Sequence, residues 1–491
     1  MLGVRTPSAH SLTQADTNRR TSTGYDEYHP VSKTGKQMVP PTGLGWIIVD
    51  ALDTLMLMNM TSQVNHAREW ISTTLTYDLD HDVNTFETTI RMLGGLLAAH
   101  YLQTDYPSLC PVDLSTNGGE DLYLEKASDL ADRLLSAFET DTGIPWSSVN
   151  LKQLVGIKSH ADGGSASLAE ATSVQLEMKY IAKLTGEKHY WDKAERVMKA
   201  VDDANAKDGL MPIFISPTTG KFSTPNIRLG SRGDSYYEYL IKQYLQTNKQ
   251  EPIYLQLWEE SLAGMKKHLI TYTAASNMTI IAERPKGLDG ELSPKMDHLV
   301  CFMPGTIALA ATEGLTLKEA IAQGKMNAKH VHDLTLAKEI MKTCMGMYRF
   351  TATGLAPEIT YFNVHDPPLM LSDGELVSTP DFTPGRLADQ TWKSDFVVKP
   401  ADTHNLQRPE TVESLFYMWR ITGDEMYRHW GWEIFEAFVK HTAVEGGTGF
   451  SSIQNVNAGP EESVGWRDNM ESFWPVSSHS FILLPSSSFP M

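Results

Sequence analysis

The amino-acid sequence predicts an all-α-dominant fold in which paired helices form one toroid. Segments whose apolar residues repeat every three or four positions return along the whole chain, and this is the period of an amphipathic α-helix. Strand signals are few and short, and no linker divides the 491 residues. An α-solenoid is the competing architecture, although no repeat of fixed length, the usual mark of a solenoid, is visible.

The helical pattern is clearest in residues 84–102, where Phe86, Ile90 and Leu97 lie on one helix face. Several of the helical segments end at glycine, the usual residue just beyond a helix C-terminus. The other predicted helices follow in chain order: 120–139, 166–186, 190–205, 234–246, 251–270, 335–350, 409–423 and 425–442.

Four segments lack the helical pattern. Turn-forming residues in 211–224 predict a small β-hairpin. The longest irregular stretch, 352–407, is rich in Pro, Asp and Gly, and such long loops are usually functional or disordered. Residues 1–24 are predicted to be a disordered or atypical N-terminal segment, and 475–491 a Pro/Ser-rich atypical tail. One domain is therefore predicted over 25–474.

Charge and composition exclude several classes of protein. Lys and Arg number 42 and Asp and Glu number 60, so the net charge is -18. A chain this acidic is a poor partner for the phosphate backbone of nucleic acids, and it suits a neutral polar ligand or a cation. The most apolar run, 44–60, is interrupted by Asp50 and Asp53, so no membrane span is predicted.

The three cysteines, Cys110, Cys301 and Cys344, have no CxxC spacing and allow at most one disulfide within the chain. No apolar core of a secretory signal is visible near residue 1. Sequons at Asn59 and Asn277 argue only weakly for a secretory compartment, because such short motifs also occur by chance.

The first group of residues that could carry chemistry is Glu87 and Arg91. Four residues apart, they share one helix face, and the plain interpretation is a surface ion pair of little energetic value. The rest of this helix is almost uncharged, however, and each glycine of the pair Gly94-Gly95 costs a helix about 1 kcal/mol relative to alanine. Close packing would justify that cost, so a buried carboxylate beside an arginine is a functional hypothesis.

Two further groups of acids begin predicted helices. Asp234, which is followed by Tyr236, Tyr237 and Tyr239, could simply cap its helix, although the tyrosines are typical of sugar sites. Glu410 and Glu413 could simply complement the dipole of the next helix. Two single residues, Glu170 and His298, are additional candidates, and a lone histidine is more often structural than a ligand.

Isolated carboxylates on different helices favour one reaction class. No GxSxG, P-loop or HExxH motif is present. Hydrolysis of a glycosidic bond needs two carboxyl groups, one to protonate the leaving oxygen and one to activate water. The spacing along the chain does not by itself show that the carboxylates converge.

Six longer motifs resemble the class I α-1,2-mannosidases of glycoside hydrolase family 47. The resemblance runs from about Asp26 to Trp474 and implies an (α/α)7 toroid barrel with small β-hairpins, a Ca²⁺ cofactor, and inverting hydrolysis of terminal α-1,2-linked mannose from N-glycans. The motifs are FETTIRMLGGLLAAHYL, IRLGSRGDSYYEYLIKQYL, LSPKMDHLVCFMPG, GLAPEI, VKPADTHNLQRPETVESLFYMWRITGD and DNMESFW.

The resemblance also implies roles for individual residues. Glu87 matches the general acid, which acts through a water molecule, Glu410 matches the general base, and Asp234 matches a third catalytic carboxylate. Cys301 and Cys344 match the family's disulfide, which leaves Cys110 free. The positions that would line the sugar subsites are Arg91, Glu170, Arg232, His298, Glu413 and Phe473.

Within the family the motifs look most like those of endoplasmic-reticulum enzymes. Arg232 belongs to this similarity, because Golgi-type members carry a small or apolar residue there. The similarity implies a monomeric enzyme of the endoplasmic reticulum or secretory pathway that binds high-mannose N-glycans and trims nine mannoses to eight in glycoprotein quality control. An inactive, lectin-like relative that only binds glycans is the alternative.

Both ends of the sequence depart from the family pattern. A polar segment unrelated to the family precedes Tyr25, and the residues after Trp474 lack the final helix and the threonine that binds calcium, so no metal ligand is assigned. Pro475 and Pro485 disfavour a helix in the tail. From the sequence we therefore expect a barrel incomplete at both ends, weak calcium binding, and slow or absent hydrolysis.

Overall fold

The computed structural model describes residues 24–115, 118–377 and 390–474. Within these ranges the chain is mainly helical, as the sequence predicts. The expected tail, 475–491, and all but the last residue of the expected N-terminal segment, 1–24, lie outside the described residues. The expectation of an incomplete barrel concerns those same segments.

Helices provide the framework of the described chain. A three-residue helix, α4 (Thr85–Glu87), and a six-residue π-helical turn (Thr88–Leu93) run directly into α5. The remaining helices, with α5, are α1 (Trp46–Asp50), α2 (Leu52–Leu57), α3 (Thr61–Thr73), α5 (Gly94–Asp105), α6 (Leu122–Leu134), α7 (Leu168–Thr172), α8 (Gln175–Thr185), α9 (Lys188–Asp203), α10 (Asp234–Gln246), α11 (Pro252–His268), α12 (Met303–Thr312), α13 (Leu317–Ala322), α14 (Ala328–Arg349), α15 (Glu410–Thr422) and α16 (Met426–Thr442).

Short antiparallel strands join these helices. They form two-stranded sheets β1–β2, β6–β7 and β8–β9, and three-stranded sheets β3–β4–β5 and β10–β11–β12. Their bounds are β1 (Glu27–His29), β2 (Thr34–Lys36), β3 (Asp82–Asn84), β4 (Ser148–Asn150), β5 (Val155–Ile157), β6 (Ala166–Ser167), β7 (Phe214–Ile215), β8 (Ile270–Tyr272), β9 (Thr279–Ile281), β10 (Lys295–Asp297), β11 (Ile359–Phe362) and β12 (Phe396–Val397).

Neighbouring helices pack in pairs, and the two ends of the described chain meet. Helix α5 packs on α6, α8 on α9, α10 on α11, and α15 on α16, while α12 contacts both α14 and α15. Tyr28 of β1 donates its hydroxyl proton to the Thr448 carbonyl (2.8 Å) and also pairs with Met470 through the backbone. These contacts between distant parts of the sequence join the first strands to the last loops, as a toroid requires.

Most of the predicted helices are confirmed, and the errors have physical causes. The predicted helix 166–186 is interrupted between α7 and α8, and the helix predicted to begin at 335 begins at Ala328. Helices α1 to α3, α12 and α13 were missed. Helix α12 is buried on all sides, so it has no polar face and no amphipathic period to detect.

The predicted hairpin at 211–224 is confirmed by backbone hydrogen bonds. Ser223 N donates to the Phe214 carbonyl (3.0 Å), and Ser216 N donates to the Lys221 carbonyl (2.9 Å). The irregular stretch 352–407 contains β11, which pairs with β10, and β12, which pairs with β11. Main-chain bonds of β11 therefore hold part of this segment to β10.

One apolar segment bears on the prediction of no membrane span. His298–Ala322 is long and apolar enough to cross a membrane, but 67% of its most apolar window is buried inside the protein. It includes α12, whose neighbours α14 and α15 cover it. Its apolar character therefore has a sufficient explanation in the core of the fold.

The disulfide implied by the family resemblance is present. Cys301 and Cys344 are bonded, with their Cα atoms 5.8 Å apart, while Cys110 is free and buried. The bond joins the 3-10 turn His298–Phe302 to α14. It closes a loop whose two ends are 43 residues apart in sequence, and loop closure of this kind stabilises a fold by restricting the unfolded chain.

The two adjacent glycines of α5 have different reasons to be glycine. A Cβ atom on Gly95 would lie 2.6 Å from the Val49 carbonyl oxygen, whereas one on Gly94 would meet nothing closer than 3.7 Å. Only Gly95 is therefore required by the packing of α5 against α1. This contact supports the close packing that the glycine pair predicts.

We predict that Gly95→Ala lowers the free energy of unfolding by about 1–3 kcal/mol, because the new methyl group overpacks against main chain. Gly94→Ala is the matched control, and it should be neutral or stabilising by up to about 1 kcal/mol, since alanine favours a helix over glycine. Thermal and urea unfolding followed by circular dichroism would compare them. Equal effects of the two changes would contradict this account of the packing.

Candidate active site

One cavity of about 700 Å³ gathers side chains from distant parts of the sequence. His298 and Glu413 do not line the cavity. His298 contacts Glu410, which does line it, and Glu413 contacts Lys242. The residues singled out in the sequence that line this cavity are Glu87, Arg91, Glu170, Arg232, Asp234, Glu410 and Phe473. The convergence that spacing alone did not show is therefore present.

Glu87 and Arg91 form a supported pair at the cavity wall. Asn84 caps the start of α4 by accepting a hydrogen bond from Glu87 N (2.8 Å), which fixes the backbone that carries the carboxylate. Arg91 Nε donates to Glu87 Oε2 (2.7 Å). The Arg91 side chain is only 16% exposed, so the interpretation as an ordinary surface ion pair is wrong.

Arg91 also connects this wall to the last described segment. Its Nη1 donates to Ser472 Oγ (2.9 Å), and Ser472 Oγ in turn donates to Asp50 Oδ2 (2.5 Å). The guanidinium carbon lies 5.4 Å from the centre of the Phe473 ring and 5.7 Å from that of Trp46. Contacts on several sides leave the guanidinium little freedom, so it holds Glu87 in one orientation.

Glu410 begins α15 and is held by a buried histidine. His298 Nδ1 lies 3.1 Å from Glu410 Oε2, while its Nε2 lies 2.8 Å from the Tyr348 hydroxyl and 3.0 Å from Thr411 Oγ1. His298 is 2% exposed. Both ring nitrogens thus have partners, and the histidine acts on Glu410 through a direct contact instead of lining the cavity itself.

The histidine is held in place by the disulfide-bonded turn. Ser414 of α15 donates to the Cys301 carbonyl (2.5 Å) and accepts from Gly305 N (3.0 Å). These bonds join α15 to the segment that carries His298. The disulfide-bonded turn therefore contacts α15 at two places, through Ser414 and through the contact of His298 with Glu410.

Asp234 is the first residue of α10, and Gly233 occupies the N-cap position. Its carboxylate accepts from the backbone amide of the next helix residue, Ser235 (2.7 Å), and Gly233 offers no side chain that could cap the helix. Burial raises the pKa of Asp234 to about 7, and the nearby Glu238 and Glu410 add to this effect. Asp234 therefore both bonds to the first turn of its helix and lies buried among other acids at the cavity.

Glu413 belongs to a cluster centred on a lysine, comprising Glu238, Lys242 and Glu413, which we call the lysine cluster. Lys242 Nζ donates to Glu413 Oε1 (2.7 Å) and to Glu238 Oε1 (2.5 Å). Burial raises the pKa of Glu413 to about 7, although Lys242 opposes this shift. Glu413 of α15 is thus paired with Lys242 of α10. A residue that only complemented the dipole of its own helix would not need this partner.

Arg232 and Glu170 occupy a neighbouring part of the wall. Arg232 has a left-handed backbone conformation, with φ of 74°, and its Nη1 donates to Asp162 Oδ2 (2.9 Å) while the guanidinium lies over the Phe214 ring. Burial raises the pKa of Glu170, although the positive charge of Arg232 stabilises the ionised carboxylate and so lowers the pKa in part. Arg232 is 38% exposed, so its guanidinium can reach a bound ligand.

The loop that carries Arg232 is anchored beside His298. Ser231 N donates to Asp297 Oδ2 (3.0 Å), and Arg228 Nε donates to the Ser231 carbonyl (2.7 Å). Asp297 directly precedes His298 at the end of β10. The bond from Ser231 to Asp297 joins residues 66 positions apart, so the local sequence pattern does not predict this anchoring.

Sequence reasoning also missed several charged residues that line the cavity. Arg408 donates to Glu358 Oε2 (2.5 Å) and lies over the Phe473 ring at 5.8 Å. The missed acids are Asp50, Asp53, Glu177 and Glu238. The first two interrupt the apolar run 44–60, and that interruption was a usable signal, whereas Glu177 and Glu238 lie in ordinary amphipathic helices.

Burial changes the charge of Asp50, Asp53 and Glu177 near neutral pH. It raises the pKa of Asp50 to about 6 and the pKa values of Asp53 and Glu177 to about 7. Tyr239 donates to Glu177 Oε1 (3.1 Å), while Glu177 Oε2 has no hydrogen-bond partner among the described residues. The cavity therefore holds several carboxyl groups that exchange protons close to pH 7.

The described residues include no group of three or more His, Cys, Asp or Glu side chains placed to hold a metal ion directly. The acids around the cavity contact arginine, lysine or hydroxyl groups instead. Carboxylate oxygens do suit hard cations such as Ca²⁺. A direct protein ligand set is nevertheless not found in 24–115, 118–377 or 390–474.

The glycosyl hydrolase family 47 model matches residues 15–477. The chain belongs to glycosyl hydrolase family 47. A mannosyl-oligosaccharide 1,2-α-mannosidase of Candida albicans is 48% identical over 94% of this chain and 75% of its own length. The endoplasmic reticulum mannosyl-oligosaccharide 1,2-α-mannosidase of Saccharomyces cerevisiae is 44% identical over 94% and 82%, respectively.

The fold of this family 47 member is also that of a solved relative. An α-1,2-mannosidase from Trichoderma reesei matches with a TM-score of 0.81 and 26% identity, over 98% of this chain and 93% of the other. The predicted α-rich toroid, the predicted family and the prediction of a glycosidase are confirmed. These three relatives are all named as mannosidases, and they give no support to the lectin-like alternative.

We predict that Glu177 contributes to a fall in stability as the pH rises. Its pKa of about 7 lies above the ordinary value of 4.5, so the folded protein retains a proton that the unfolded chain releases. This contribution is complete below about pH 4.5 and is lost as the pH rises through about 7. The melting temperature, measured in EDTA from about pH 5 to 8, should fall less steeply in Glu177→Gln.

Glu125→Gln, on the exposed face of α6, is the matched control and should keep the slope of the parent protein. Asp53, Asp234 and Glu413 should keep part of the slope in the Glu177 variant, because burial raises their pKa values as well. Identical slopes for Glu177→Gln and the parent would show that Glu177 is not protonated by burial.

Proposed function

We propose that this protein is an inverting α-1,2-mannosidase that removes terminal mannose from high-mannose N-glycans during glycoprotein processing. The observation that carries the proposal is the convergence of Glu87, Asp234 and Glu410 on one cavity in a family 47 chain. The relatives named for this activity match nearly the whole described chain. Because relatives carry endoplasmic reticulum names, the protein acts in that compartment or the secretory pathway, as a monomer.

The carboxylates divide the chemistry between them. Glu410, held by His298, acts as the general base that activates the attacking water, and Glu87, held by Arg91, delivers a proton to the leaving oxygen through a second water. Inverting glycosidases keep such carboxyl groups about 6.5–9.5 Å apart, so that water fits between base and sugar. A cavity of about 700 Å³ leaves room for both the sugar and that water.

Asp234 serves as the third acid of the site. Asp234 lines the same cavity as Glu410. Because its pKa is about 7, its carboxyl group is ionised in only part of the molecules near neutral pH. In that environment it can accept a hydrogen bond from a sugar hydroxyl or from water. Its role is therefore to orient the reacting groups and to balance charge around the base.

The remaining side chains that line the cavity bind the sugar. Arg91, Glu170 and Arg232 offer charged hydrogen-bonding groups to hydroxyls, and Phe473 offers an aromatic face to the apolar side of a sugar ring. His298 and Glu413 support this set from behind the wall. Arg232 would contact a neighbouring branch of the glycan and so restrict trimming to one mannose, from nine mannoses to eight.

Calcium is part of this proposal. The described residues offer no direct ligand set, so Glu87, Glu413 and Glu471 would hold the ion only through water molecules. When bound, the ion would supply positive charge to the acidic cavity. Lys242 already places a cation beside Glu413, which favours weak calcium binding because the two positive charges repel each other.

We predict that Glu410→Gln lowers the rate of mannose release by about 10²–10⁴-fold, the usual contribution of a general base. Glutamine has nearly the same shape and can still bond to His298, so folding should change little. Mannose released from a nine-mannose glycan would be measured with added calcium and with EDTA. Circular dichroism would verify the fold of each variant.

Glu433→Gln is the control for this experiment. Glu433 pairs with Arg349 outside the cavity (2.6 Å) and is 48% exposed, so its loss should leave the rate within about twofold of the parent, since exposed ion pairs contribute little. Parental turnover by Glu410→Gln would remove the base from the proposed mechanism. Binding without turnover by the parent protein in both calcium and EDTA would favour the lectin-like alternative.

We predict that Arg232→Leu widens trimming beyond one mannose, because leucine cannot offer the fork of donors through which a guanidinium binds hydroxyl groups. Product glycans would be separated and counted over time. Arg428→Leu, which removes an arginine that stacks on Trp419 away from the cavity, is the control and should leave the products unchanged. An unchanged product pattern for Arg232→Leu would refute the assignment of specificity.

A further inference from the structure

We infer that Asn59 is a site of N-glycosylation on this protein, so that the enzyme itself carries an N-glycan. The sequon Asn59-Met60-Thr61 lies in the turn between α2 and α3. Asn59 is exposed and has a left-handed backbone conformation with φ of 55°. Asparagine tolerates that conformation better than most residues, so the turn presents this side chain to solvent without strain elsewhere.

The two side chains that define the sequon lie next to each other on the surface. Thr61 Oγ1 donates to Asn59 Oδ1 (3.2 Å). The amide nitrogen of Asn59, the atom that would carry the sugar, has no partner among the described residues. Met60, between them, is only 6% exposed and anchors the turn in the core.

The backbone of this turn is satisfied without help from the Asn59 side chain. Asn59 N donates to the Met56 carbonyl (2.9 Å), and Met60 N donates to the Leu55 carbonyl (2.9 Å). A glycan on the side chain would therefore break none of the hydrogen bonds that close the turn. The fold accommodates the modification as it stands.

The second sequon, at Asn277, is different. Its threonine, Thr279, begins β9 and is fully buried, as is Met278 before it. The Thr279 carbonyl accepts a hydrogen bond from Thr343 of α14 (2.6 Å). Two of the three residues of this sequon thus belong to the core, whereas the Asn59 sequon lies in a surface turn, where N-glycosylation acceptors are found.

The Asn59 turn lies away from the catalytic groups. Cys110 Sγ is 3.6 Å from Thr61 Oγ1, which places the turn beside the loop that follows α5. The helical run from Glu87 to Asp105 is roughly 27 Å long at about 1.5 Å per residue, and this loop follows the end of the run opposite Glu87. A glycan at Asn59 should therefore leave hydrolysis unchanged.

The modification is an ordinary group transfer. A bond forms between Asn59 Nδ2 and the anomeric carbon of the glycan, and the bond from that carbon to a pyrophosphate oxygen of a lipid-linked oligosaccharide donor breaks. The pyrophosphate leaves as an anion, and the amide proton passes to a base of the transferase. The requirement is exposure of the chain to the secretory pathway, which is where the related enzymes are named to act.

The experiment compares variants secreted from a eukaryotic host, by intact mass before and after treatment with an amidase that removes N-glycans and converts the asparagine to aspartate. Asn59→Gln and Thr61→Ala should each lose one glycan, and the second variant does so with Asn59 itself unchanged. Asn277→Gln is the matched control and should keep that glycan. The rate of mannose release should be the same for Asn59→Gln and the parent.

Three results would overturn the inference. One is a parent protein without any glycan, from a host that glycosylates a control glycoprotein. Another is a glycan mass unchanged by Asn59→Gln, and the third is aspartate found after amidase treatment only at 277. Because peptide mapping identifies the modified residue directly in the parent protein, poor folding of a variant cannot hide the answer.

Discussion

Carboxyl groups buried at the centre of a helical toroid are the constraint on which the rest of this structure depends. An ionised carboxylate is expensive to remove from water unless it is paired or protonated. The protein uses both solutions. Arg91 and Lys242 each contact acids of the site, and burial raises the pKa values of acids such as Glu177 and Asp234 to about 7.

The same demand for compensation explains the long-range contacts. Arg91 can pair with Glu87 in one geometry only because Ser472, Phe473 and Trp46 surround it, and two of these come from the far end of the chain. Closure of the toroid by Tyr28 and its partners brings that end into place. Fold and site are thus not separable, since the contacts that close the toroid also complete the cavity.

Residues that do not line the cavity hold the acids and the arginine loop that do. His298 bonds to Glu410, and the disulfide-bonded turn that follows His298 is bonded to α15 through Ser414. The loop of Arg232 is anchored on Asp297, the neighbour of His298. Glu410 and the loop of Arg232 are therefore both held by the segment that contains Asp297 and His298, and such supporting contacts let a site keep a precise geometry.

The sequence by itself determined the helical character, the family and the choice of the acids proposed as catalytic, because the period of apolar residues is local and the long motifs occur in order along the chain. It also contained a usable sign of a buried helix at Gly94-Gly95. Only the tertiary structure decided that Glu413 faces Lys242, that Asp50, Asp53 and Glu177 join the cavity, and that only Gly95 of its pair must be glycine. These outcomes depend on contacts between residues far apart in the chain, and burial, which raises a carboxyl pKa or forbids a methyl group, is a property of those contacts and not of any local pattern.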